Sequence, residues 1–145
     1  VDDVGYSSRA NKVVKVWVNG CFDILHRGHV EMFEYAKSLG DHLKVGIDSD
    51  WKIRKTKGFD RPINRELDRA ALLRALRVVD EVTIFHSAQG LEWCIKDYSP
   101  DVLVVGSDWR DKEVVGAPHA GRVEFFDRIT GYSTTNIINR LKEIK

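Results

Sequence analysis

The stretch Val13-Val-Lys-Val-Trp-Val-Asn-Gly-Cys-Phe-Asp-Ile-Leu-His-Arg-Gly-His29 decides the fold. Its first six residues are short, mostly β-branched and bounded by the turn dipeptide Asn19-Gly20, which predicts a strand running into a tight loop. Beyond the loop, Val30, Phe33, Tyr35-Ala36 and Leu39 recur every three to four residues and stop at Gly40. That spacing predicts a helix with a glycine end. A strand that feeds a helix across a glycine-bearing loop is the opening of a βαβ unit.

The same alternation continues along the chain. His42 to Asp48 reads as a second strand, Glu81 to Phe85 as a third, Asp101 to Val105 as a fourth and Arg122 to Phe126 as a fifth. Between them lie a helix carrying Leu67, Ala70-Ala71, Leu73 and Leu76, with Asn64 as its expected cap, and a helix from Gly90 to Tyr98 closed by Ser99-Pro100. Trp51 to Arg61 reads as a polar, basic loop, and Ser133 or Thr134 caps a last helix through Ile137-Ile138, Leu141 and Ile144. Strands separated by helices imply right-handed crossovers, hence an α/β, doubly wound, mostly parallel five-stranded sheet with helices on both faces. Ligands of such sheets bind beyond the carboxyl ends of the strands. Asn19–His29, Asp48–Lys57, Gly106–Arg110 and Arg128–Thr134 are therefore expected on one rim.

The chain has 145 residues, with 23 Lys+Arg against 22 Asp+Glu and 43% hydrophobic residues. This is one domain's worth of chain, expected over 13–145 behind a polar tail at 1–12. Near-neutral charge supplies no bulk field for nucleic acid or an anionic membrane, so any phosphate must be bound locally. The longest apolar runs, such as Val102–Val105, fall far short of the ~18 residues of a membrane span, and the first residues lack the pattern of a leader peptide. A cytoplasmic location is expected. Cys21 and Cys94 form neither a CxxC pair nor a disulfide framework.

Asn19 to His29 is neither the GxGxxG dinucleotide fingerprint nor the GxxxxGK[ST] phosphate loop. It offers His26 and His29 flanking Gly28 at a helix start, where free N–H groups favour an anion and glycine lets it approach the backbone. Imidazoles beside a triphosphate would have raised pKa values and donate hydrogen bonds to its oxygens. A pair of histidines also occurs as ordinary packing. As metal ligands the two lack a third partner at suitable spacing. Asp23 reads equally as a brace of the loop.

Gly20-Cys-Phe-Asp-Ile-Leu-His-Arg-Gly-His29 resembles the signature of the cytidylyltransferase-like nucleotidyltransferases. Gly131-Tyr-Ser-Thr-Thr135 is similar to their second element before the last helix. The resemblance runs from about Lys12 to the C-terminus and implies a Rossmann-like nucleotidyltransferase fold. It also implies transfer of a nucleotidyl group from an NTP to a small phosphorylated molecule, with release of pyrophosphate. On that resemblance His26, His29, Lys57 and Arg128 are the expected catalytic groups. Gly20, Phe22, Asp23, Gly28, Asp108, Ser133 and Thr134 are expected at the nucleotide, and Lys55 and Arg69 at the acceptor phosphate. Mg2+ is expected with the nucleotide, no protein ligand to it is assigned, and the family implies a possible homodimer.

Two subgroups are closest. Arg128, placed before Gly131, and Gly106-Ser-Asp-Trp109 resemble glycerol-3-phosphate cytidylyltransferases and give CTP a slight preference. Lys57-Gly-x-x-Arg-Pro-x-Asn64, Val114-Val-Gly-Ala117 and Ser133-Thr-Thr-Asn-Ile-Ile138 resemble the adenylyltransferase half of ADP-heptose synthases, which use ATP. Ser107 and Tyr132 depart from both patterns. The reading is a nucleotidyltransferase of cell-envelope precursor synthesis acting on a polyol or sugar phosphate such as glycerol 3-phosphate. The ATP-dependent heptose 1-phosphate enzyme is its alternative, and a non-catalytic nucleotide-binding module is the alternative of another class.

Overall fold

In the computed structural model, which describes residues 12–144, the chain runs β1 (Lys15–Gly20), α1 (Arg27–Ser38), β2 (His42–Asp48), α2 (Asp50–Lys57), α3 (Glu66–Arg74), β3 (Glu81–Phe85), α4 (Ala88–Tyr98), β4 (Val102–Gly106), β5 (Arg122–Phe126) and α5 (Thr134–Glu143). The expected tail at 1–12 lies outside the described residues except for Lys12. All five strands pair parallel in the order β3-β2-β1-β4-β5. Crossovers leave β1 toward β2 on one side and arrive at β4 on the other, so the switch point of the topology sits beside β1.

The period of two along β1 sorts its side chains between two cores. Val16 and Val18 join Leu43, Val45, Ile47, Val102 and Val104 under α1 and α3, which contribute Phe33, Ala36, Ala70 and Leu73. Trp17 faces the other way, against Phe85, Leu103 and the α4 residues Leu91, Ile95 and Tyr98. The sheet is covered on both faces, as a parallel sheet must be. No helix among the described residues is long and apolar enough to cross a membrane.

Two local expectations are corrected. Trp51 to Arg61 is not a loop throughout, because Asp50–Lys57 is a helix capped by the Ser49 hydroxyl, which accepts from the Lys52 N–H at 3.2 Å. Asp50 opens that helix and Arg54, Lys55 and Lys57 close it, matching its dipole. Only Ile53 is buried, so no apolar periodicity marks the helix in the sequence. Asn64 does not cap α3, which begins after Arg65. Its amide instead donates to the Asp23 carbonyl oxygen at 3.0 Å.

Gly46, in the middle of β2, faces the Trp17 indole. A Cβ there would stand 2.4 Å from Trp17 Cζ2. Trp17 is fully buried and cannot withdraw. Gly46→Ala is expected to lower stability by about 1–3 kcal/mol through overpacking, measured as a shift of the urea midpoint at unchanged m-value.

Candidate active site

The loop after β1 turns sharply at Phe22, whose φ of 46° is a strained value for a residue with a side chain. The ring folds back over Gly20, where a Cβ would meet Phe22 Cζ at 2.9 Å. It packs edge-on against His29 at 5.1 Å and Phe33 at 4.8 Å between centroids. Phe22 therefore ties the His29 imidazole to the core. Asp23, 1% exposed, is a brace. Its carboxylate accepts from the Ile63 and Asn64 N–H groups, both at 2.8 Å, and from Arg61 Nε at 3.3 Å.

Beyond the carboxyl ends of the strands lies an open cavity of about 530 Å³. Gly20, Phe22, Asp23, His26, Gly28 and His29 line it, together with Lys57, Arg128, Ser133 and Thr134. The structure thus brings together most of the residues expected at the site. The N-termini of α1 and α5 both open on this space, each with backbone N–H groups that lack helical acceptors. Ser133 caps α5 by accepting from the Asn136 N–H at 3.0 Å, and the Thr134 hydroxyl donates to Ile24 O at 3.4 Å, which holds α5 against the β1 loop.

His26 and His29 stack, with centroids 3.7 Å apart and planes 22° from parallel. His29 Nδ1 accepts from the His26 backbone N–H at 3.4 Å, which leaves Nε2 as the proton carrier. Nδ1 of His26 is buried without a partner. A Cβ on Gly28 would come within 3.0 Å of the His26 ring and 3.1 Å of Tyr132 Cβ, so only glycine leaves the backbone bare here. The pKa values of both rings are lowered, the reverse of the direction expected beside bound phosphate. Burial pushes His29 down to about 3, with help from His26 and Arg128, and burial lowers His26 as well.

Three expected site residues stand outside the cavity wall. Arg69 is removed from the expected acceptor-phosphate set because it is fully buried and its guanidinium is already engaged. It donates to Asn64 O at 2.9 Å, to Cys21 O at 2.9 Å and to Asp48 O at 2.8 Å, and pairs with Asp50 at 2.8 Å. Lys55 points away from the cavity and lies 4.3 Å over the Trp51 ring. Asp108 lies behind Arg128, to which it pairs at 3.4 Å on an exposed edge.

Asp48, Lys52, Arg61 and Tyr132 also line the cavity and were not among the expected site residues. Lys52 pairs with Asp48 at 3.3 Å, an (i, i+4) spacing that would have been readable had α2 been recognised as a helix. Among the described residues, Lys57 is a lining cation that no carboxylate pairs within 4.0 Å. No group of three or more described His, Cys, Asp or Glu residues could cage a metal.

Two outcomes test these assignments. Arg69→Met strands Asp50 and three carbonyl groups, so a loss of about 3–5 kcal/mol in urea unfolding is expected. For His29, a folded pKa near 3 against an ordinary 6.5 means that the unfolded chain binds the extra proton between those values. Its contribution is complete above pH 6.5 and is lost as pH falls toward 3. His29→Gln should flatten the fall in stability over that window by up to about 1 kcal/mol per pH unit.

Known proteins resemble this chain over most of its length. A family model described as cytidylyltransferase-like matches residues 17–140. The bifunctional protein HldE of a Nitratiruptor species is 50% identical over 127 residues, 88% of this chain and 27% of that protein. The bifunctional protein HldE of Campylobacter fetus subsp. fetus is 44% identical over 142 residues, 98% of this chain and 31% of that protein. The chain thus spans about three tenths of the length of these relatives. Among solved structures, the lipopolysaccharide core biosynthesis protein from Thermoplasma volcanium superposes with a TM-score of 0.65 at 30% identity, covering 84% of this chain and all of that one.

Proposed function

Because the chain belongs to the cytidylyltransferase-like family of nucleotidyltransferases, we propose that its cavity joins ATP to a sugar 1-phosphate of the heptose type and releases pyrophosphate. The observation that carries this reading is the convergence of two helix N-termini, a stacked histidine pair, Lys57 and Arg128 on one open space. That is a site for more than one phosphate group. The choice of ATP over CTP rests on the similarity to HldE proteins at 44–50% identity, together with the heptose-type motifs at 57–64, 114–117 and 133–138. It reverses the slight preference for CTP drawn from Arg128, and makes the alternative acceptor the leading one.

The chemistry needs little from side chains beyond placement and charge. An oxygen of the acceptor phosphate attacks the α-phosphorus. The bond from that phosphorus to the bridging oxygen breaks, and pyrophosphate leaves with the electron pair. The acceptor is already an anion, so no base has to remove a proton. In this reading the α5 N-terminus, Ser133, Thr134 and Arg128 receive the β- and γ-phosphates. His29 donates from Nε2 to the oxygens that gain charge at the α-phosphorus, with His26 stacked behind it. Lys57 draws the acceptor phosphate toward the line of attack. Mg2+ bound to the triphosphate would neutralise part of its charge.

The test is pyrophosphate release with ATP or CTP against heptose 1-phosphate and glycerol 3-phosphate. Release with ATP and heptose 1-phosphate is expected, with His29→Asn slower by about 10²–10³-fold. No release with any pair would refute an enzyme. A rise in melting temperature with ATP alone would then leave a nucleotide-binding module. Preference for CTP and glycerol 3-phosphate would restore the reading that Arg128 favours.

A further inference from the structure

The wall of the cavity carries cations, as a polyphosphate site requires, yet Asp48 stands among them with part of its charge uncommitted. Its carboxylate is 13% exposed, and both of its contacts, Lys52 Nζ at 3.3 Å and Cys21 Sγ at 3.5 Å, fall on Oδ2. Oδ1 has no hydrogen-bond partner among the described residues and is not sealed from solvent. The other lining carboxylate, Asp23, is saturated by two N–H groups and Arg61. Asp48 is also rigidly placed. Its backbone oxygen accepts from Arg69 at 2.8 Å, it pairs in register with Phe85, and the next residue, Ser49, donates to Phe85 O at 2.9 Å.

Position gives this carboxylate a role. Arg128 and the α5 N-terminus follow β5, at one edge of the sheet, whereas Asp48 ends β2, on the other side of β1. At ~4.8 Å per strand, β2 and β5 are separated by roughly 14 Å, about the span of two ligands meeting over β1. Lys57 ends α2, which follows β2 directly, and Arg61, paired with Asp23, lines the same cavity. A carboxylate repels phosphate but accepts hydrogen bonds from neutral hydroxyls, and a fixed charged acceptor does so strongly.

We propose that Asp48 is a specificity-determining residue for the acceptor, accepting hydrogen bonds from the hydroxyl groups of its sugar or polyol moiety through Oδ1. This rests on the nucleotidyltransferase reading above and deepens it. Lys52 holds the carboxylate in place, and Lys57 and Arg61 receive the phosphate of the same molecule. The site thereby distinguishes a hydroxylated sugar phosphate from an acceptor of equal charge that lacks the hydroxyl.

The experiment compares wild type with Asp48→Asn and Asp48→Ala on heptose 1-phosphate and its monodeoxy analogues, with ATP held saturating. In the wild type at least one deoxy analogue should have a KM about 10–100-fold above that of the parent, the worth of one charged hydrogen bond. In Asp48→Ala that ratio should collapse toward unity, with Asp48→Asn between the two and KM for ATP unmoved. An unchanged ratio in the variants overturns the proposal. So does an equal rise in KM for ATP and acceptor, since that marks a structural defect. If no acceptor turns over, the functional reading fails, and thermal shifts still decide this one. The wild type should be stabilised more by mannose 1-phosphate than by inorganic phosphate, and Asp48→Ala should lose that excess. An excess that persists in the variant, or is missing from the wild type, overturns it.

Discussion

The buried Arg69 guanidinium holds the rim of this molecule together. Its four hydrogen bonds reach the loop after β1 at Cys21, the end of β2 at Asp48, the first turn of α2 at Asp50 and the approach to α3 at Asn64. These contacts join the loop after β1 to the junction of β2 with α2 and to the approach to α3. A buried cation is costly to desolvate and persists only when such partners surround it. Asp23 repeats the device with opposite charge, holding Arg61, Ile63 and Asn64 against the β1 loop. Together they set the spacing of the groups that face the cavity.

On that frame the charges divide by burial. Arg69 and Asp23 are consumed inside the protein, while Lys57 and Arg128 stand where a polyanion can reach them. The histidine pair lies between these classes. Burial lowers the pKa of both rings, which disfavours two positive charges in the stacked pair. Near-zero net charge is thus compatible with a local positive field. Lys57 has no carboxylate partner within 4.0 Å among the described residues, and Asp108 beside Arg128 lies at an exposed edge where solvent weakens its hold.

Much of this was legible in the sequence. All five strands follow from short β-branched runs, and β2, β3 and β5 lie where the pattern places them. The parallel order follows from the helices between them. Of the candidate site, the glycine-bearing stretches at 20–29 and 131–135 were readable, the first from its histidines flanking Gly28 at a helix start and both from their resemblance to family motifs. Helix α2 was not, since one buried residue in eight leaves no period to detect. Arg69 was misplaced for a related reason. An arginine on a helix has the same letter whether it reaches solvent, a ligand or four buried acceptors.

The sequence by itself determined the architecture and the rim on which the candidate residues gather, because period and turn chemistry are local properties, and its two motifs carried the resemblance to the family. Only the tertiary structure decided which charged side chains face that rim. It turned Arg69 inward and Lys55 outward, and it brought Lys52, Arg61 and Asp48 to the wall. The direction of a long polar side chain is set by acceptors and apolar surface contributed from remote parts of the chain, and no local pattern records where those will be.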